Sequence, residues 1–71
     1  MTKPLTNMRL VEKMIEFGAY VTLDCEVIMS DGECAGIISK FDLNALIHSE
    51  FVKVTEVTTP NDDIEVVYVK G

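Results

Sequence analysis

Few side chains in this 71-residue chain have types and spacing that could do chemistry. His48 is its one histidine, and Ser49 beside it makes no triad, which needs a nucleophile, a base and an orienting group converging in space. Cys25, Cys34 and His48 lack the paired spacing and the fourth ligand of a zinc site. Asn61, Asp62, Asp63 and Glu65 form an acidic run, but without the loop length and central glycine of a calcium-binding hand. Turn chemistry accounts for that run more simply. Gly32 and Gly36 have no lysine nearby and no strand-loop-helix context, so they do not form a phosphate loop. Asp24 and Glu26 would lie on one strand face as paired carboxylates, yet nothing around them marks a buried general acid. The expectation is a protein that is not an enzyme, with no catalytic residue, metal ligand or cofactor.

What remains is charge. Twelve acidic residues against six basic give a net charge of −6, a strong field for a chain this small. Lys3, Arg9, Lys13, Lys40, Lys53 and Lys70 are scattered. A surface that neutralises phosphates needs them clustered, so direct nucleic-acid binding is disfavoured. Asp24, Glu26, Asp31 and Glu33 fall within about ten residues with no basic residue between Asp24 and Lys40, and form the candidate partner-binding set. Their complement is a basic surface on a protein partner. Glu56, Asp62, Asp63 and Glu65 form a rival cluster, ranked lower because a turn already explains half of it.

These side chains have to be positioned by strands. Val21, Leu23, Cys25, Val27 and Met29 alternate with Thr22, Asp24, Glu26 and Ser30, the pattern of one strand with an apolar face. Asp31-Gly32 follows, suited to the two-residue type I′ turn of a hairpin that returns through 33–41, so the first hairpin spans about 20–41. Before it, Met8, Val11 and Ile15, with Leu10, Met14 and Phe17 beside them, recur at helical spacing and predict a helix over about 8–17, capped by Thr6 or Asn7. Residues 1–5 read as a short lead. The stretch 42–49 admits one helical turn capped by Asp42 or a strand, and the strand is preferred. Residues 51–57 and 64–69, rich in β-branched and aromatic residues around the turn-forming 58–63, predict a second hairpin over about 51–69.

The result is a single mostly β (α+β) domain, 1–71, in which an N-terminal helix precedes a small five-stranded antiparallel barrel, partly open. The first hairpin carries apolar residues on both faces, and a core this small gains from self-association, so a homo-oligomer is expected. In the two-residue-turn register Cys34 faces Met29 and Cys25 faces Ile38. The thiols then lie about 13 Å apart along the sheet, beyond the roughly 7 Å Cα limit of a disulfide. Free thiols suit a reducing compartment. Residues 1–18 lack the uninterrupted apolar segment of a secretory signal, and no apolar run approaches the ~20 residues of a membrane span. A cytoplasmic location without membrane contact is expected.

Cys25-Glu26-Val27-Ile28-Met29-Ser30-Asp31-Gly32, then Gly36 and Phe41-Asp42, resembles the first motif of Sm-like proteins, and Val67-Tyr68-Val69-Lys70-Gly71 is similar to the second. Asp31-Gly32-Glu33, Glu50-Phe51-Val52-Lys53-Val54 and the strand over 64–69 resemble the layout of the small acidic Rof branch, over roughly fifty residues. The resemblance implies an Sm-like (SH3-like) barrel and an inhibitor that occupies a basic, nucleic-acid-binding surface of the transcription terminator Rho. Two alternatives stand beside it. One is a phage-type nucleic-acid mimic aimed at a host defence nuclease; the other is an Sm-like RNA-binding ring.

Overall fold

Helix α1, Met8–Glu16, starts where the Asn7 side chain accepts the Leu10 N–H (3.3 Å), so Asn7 is the cap. In the computed structural model, which describes residues 3–59 and 61–71, the remaining elements are β1 (Tyr20–Thr22), β2 (Glu26–Ile28), β3 (Cys34–Ile37), α2 (Lys40–His48), β4 (Val52–Thr58) and β5 (Ile64–Lys70). All pairings between strands are antiparallel, in the order β3-β2-β1-β5-β4. The domain is therefore α+β and mostly β, as the sequence implies. The sheet is open, with β3 and β4 as its edges.

Three features differ from the sequence reading. The alternating stretch 21–29 is two strands, not one. Thr22 makes the reversal: its carbonyl accepts the Cys25 N–H (3.0 Å) and its Oγ1 accepts the Glu26 N–H (3.2 Å), while Cys25 adopts a φ of 67°. A three-residue loop of this kind lets the pairing Val21↔Val27 keep both side chains on one face, and both are fully buried. Alternation survives the turn, which is why it could not reveal it. Leu23, on the loop, is exposed.

The second difference is at Asp31-Gly32. A two-residue type I′ turn needs positive φ at both centres, and here only Gly32 has it (92°). Met29 donates to the Glu33 carbonyl (2.8 Å), so the loop holds three residues, with the Asp31 carboxylate accepting the Glu33 N–H (3.0 Å). Cys34 consequently faces Ile28 across a bulge, whereas Ile38 donates to the Cys25 carbonyl (2.9 Å). Both cysteines are free, Cys25 buried and Cys34 exposed.

The third is 42–49, where the preferred strand is instead helix α2. Ser39 Oγ accepts the Asp42 N–H (3.0 Å) and caps it, and Leu43 and Leu46, three apart, bury one stripe. The second strand thus ends at Ile37, and Phe41 is carried on the helix, largely exposed.

The core joins Val11 and Ile15 of α1, Leu43 and Leu46 of α2, and Val21, Val27 and Val52 of the sheet. Residues 3–5 run beside β3, with Ile37 donating to the Lys3 carbonyl (2.8 Å) and Leu5 to the Ile37 carbonyl (2.7 Å). The rest of the proposed lead, Met1 and Thr2, and Pro60 of the proposed second turn lie outside the described residues. Val11→Ala and Ile15→Ala should each cost on the order of 1 to 4 kcal/mol, since both side chains are fully buried. Urea midpoints measure this; unmoved midpoints would take α1 out of the core.

Candidate interaction surface

Among the described residues no buried side chain is polar or charged, and no group of three or more His, Cys, Asp or Glu could hold a metal ion. His48 is exposed in the last turn of α2. Among the described residues Cys25 is buried in the sheet's first turn while Cys34 and His48 are exposed on β3 and α2. An apolar pocket of about 250 Å³ lies between Pro4, Leu5, Ile37 and Ile38 at the start of α2, with Ser39 and Asp42 at its polar margin.

The carboxylates, by contrast, are organised by the sheet. In a run of antiparallel hairpins, successive turns fall at opposite ends of the strands. Thr22 pairs with Val67, so the 23–25 loop that follows β1 lies on the side of Val67 that leads through Val66 and Glu65 to the turn between β4 and β5. Asp24 and Glu26 therefore lie towards the same end of the strands as Glu56, Asp62, Asp63 and Glu65, which are carried on the half of the β4–β5 hairpin that extends past β1. Asp24, Glu56, Asp62 and Asp63 are exposed, and Glu26 and Glu65 half-buried. No Lys or Arg occurs in 23–26, 56–58 or 61–66. Lys40 borders this end on the β3 side, because Ile38 bonds back to Cys25.

The candidate set is thus divided. Asp31 and Glu33, both exposed, sit in the loop at the other end of β2, on the order of 15 Å from Asp24, further than the roughly 8 Å over which salt leaves exposed charges coupled. Asp24 stands on a loop and not on a strand face beside Glu26. What sequence reasoning treated as a rival cluster lies towards the same end of the sheet as Asp24 and Glu26, further out along the β4–β5 hairpin. The signal that could have joined them is Thr22, whose side chain favours a turn two or three residues on.

The turn carrying Asp62 and Asp63 is tightly built. Thr59 donates to the Asp63 carbonyl (2.8 Å), Asp62 donates to the Thr59 carbonyl (3.0 Å), Thr59 Oγ1 accepts the Asp63 N–H (3.2 Å), and Asp62 has a φ of 64°. These backbone bonds fix the carboxylates at the tip of the hairpin without using them. No helix among the described residues is long and apolar enough to cross a membrane. No family model matches this chain, and no curated protein or solved structure matches it either.

Proposed function

We propose that this chain is a non-enzymatic acidic binding protein that occupies a basic, nucleic-acid-binding surface of a protein partner and thereby regulates or inhibits it, with Rho as the partner to test first. The observation that carries the reading is the acidic end of the sheet, where carboxylates from two hairpins lie on loops and strand ends at the same end of the strands with no basic residue among those segments. Such a surface offers a basic groove the spaced negative charge that a phosphate backbone would, and it speeds encounter by electrostatic steering. The helix followed by five antiparallel strands supports a relation to Sm-like proteins and their Rof branch; helix α2 and the open edges are where it departs from a closed barrel.

The test is a titration of the chain against Rho in the presence of single-stranded RNA, at two salt concentrations, alongside affinity capture from lysate. Displacement of RNA, weakening as salt rises, is the expected result. Capture of a defence nuclease instead would favour the nucleic-acid mimic. Tight binding of single-stranded RNA by the chain itself would replace the proposal with the RNA-binding ring.

A further inference from the structure

The two edges of the sheet are not alike. Residues 3–5 cover β3, whereas among the described residues nothing covers β4. The bonds that flank β4, Gly71 N–H to Phe51 and Thr59 N–H to Asp63, fix its register: odd-numbered residues bond to β5 and even-numbered residues turn their backbone groups outward. Val52, Val54, Glu56 and Thr58 therefore present an open row of donors and acceptors along seven unbulged residues. Half of the β4–β5 hairpin also overhangs the sheet, because β1 reaches only Val67 and Tyr68. On this hairpin Val54 (60 % exposed), Ile64 (71 %) and Val66 face solvent, all on the side that carries Val21 and Tyr68.

We infer that this edge pairs with the same edge of a second copy of the chain, antiparallel, about a two-fold axis at Thr55. Only a register that sets even residues against even residues lets the outward groups bond. The one centred on Thr55 overlaps all of β4, placing Val54 opposite the partner's Glu56 and Val52 opposite the partner's Thr58, with up to about eight inter-chain hydrogen bonds. Each overhanging arm then lies beside the body of the other copy, so Ile64 and Val66 are brought towards the side of the partner where α2 meets β4. Lys53, the one cation of β4, comes within reach of the partner's Glu65 across a single strand.

The area agrees with this. The chain exposes 5046 Å², whereas a monomer of 7.9 kDa is expected to expose about 4,400 Å². The excess of roughly 600 Å² is close to one partner's share of a small specific interface. Charge opposes the pairing, since each copy carries −6 and the two Glu56 side chains become diagonal neighbours. The dimer should therefore tighten as salt rises. Binding to a basic partner should weaken, so the two readings stand or fall separately.

Sedimentation velocity over a concentration series, at low salt and at about 0.5 M salt, is the test. The expected result is a monomer–dimer equilibrium whose dissociation constant falls about tenfold or more at the higher salt. Val54→Pro removes an outward N–H that the fold does not use and should leave a folded monomer, with circular dichroism as the control. As a measurement on the unaltered chain, the amides of Val52, Val54, Glu56 and Thr58 should gain protection from hydrogen exchange at high concentration. A monomer under every condition, growth beyond the dimer, or a folded Val54→Pro chain that still dimerises would overturn the inference.

Discussion

Gly36→Ala should destabilise the protein by about 3 kcal/mol, several times the effect of the same change at Gly32. Gly36 sits in β3 at a φ of 152°, and a Cβ there would be driven into the Lys3 carbonyl and to within 2.8 Å of Leu5 Cγ. The methyl group cannot be accommodated without moving residues 3–5 off the edge, which forfeits two backbone hydrogen bonds worth roughly 1 kcal/mol each, in addition to backbone strain. Gly32 also has a positive φ, but nothing lies within 4 Å of its added Cβ, so only the strain of about 1 kcal/mol applies. Urea denaturation of the two variants compares them directly. Equal costs would mean that residues 3–5 contribute nothing to holding β3.

The second large effect concerns charge at the two ends of the sheet. Asp24→Lys with Glu26→Lys should weaken binding of a basic partner tenfold or more, about 1.4 kcal/mol, mainly through a slower on-rate. Asp31→Lys with Glu33→Lys makes the same change in net charge at the opposite end, and should weaken it by no more than about threefold. The comparison separates a local site from the overall field, because long-range attraction to the whole chain changes equally in both variants. Glu26 is half-buried, so the first variant needs a folding control; a lysine stem there can lie along the sheet and bring its ammonium group to water. If the second pair proved the more damaging, the binding end would be the loop at Asp31. If neither mattered, the acidic-surface reading would be abandoned.

Much of the architecture could be read from local pattern. Helix α1 announces itself through Val11 and Ile15, and the β4–β5 hairpin through its β-branched runs around a Pro-Asn-Asp turn. Two features that failed were set by a side chain bonding to a nearby backbone group, although the Asn7 cap, of the same kind, was legible. Thr22 bends a stretch whose apolar alternation is unbroken, and Ser39 starts a helix in a segment whose apolar residues fit either period. In both places a hydroxyl offers the backbone a partner that competes with the continuing strand. The acidic surface was legible as composition but not as a place. Its grouping depends on which ends of β1 and β5 meet, a pairing between residues far apart in the chain.

That pairing also dictates how the molecule can assemble. The sequences of β1, β2 and β3 meet their partners within a few residues, and β4 and β5 form a hairpin of their own. Among the described residues the two blocks pair as strands where β1 lies along β5, a closure of about 45 residues between Thr22 and Val67. Local hairpins form in microseconds, so this closure is the slow event, and during synthesis β1 must wait for the much later strand β5. Until β5 arrives, β1 is itself an open edge, and a growing chain carries an unpaired strand that its finished form hides in the middle of the sheet.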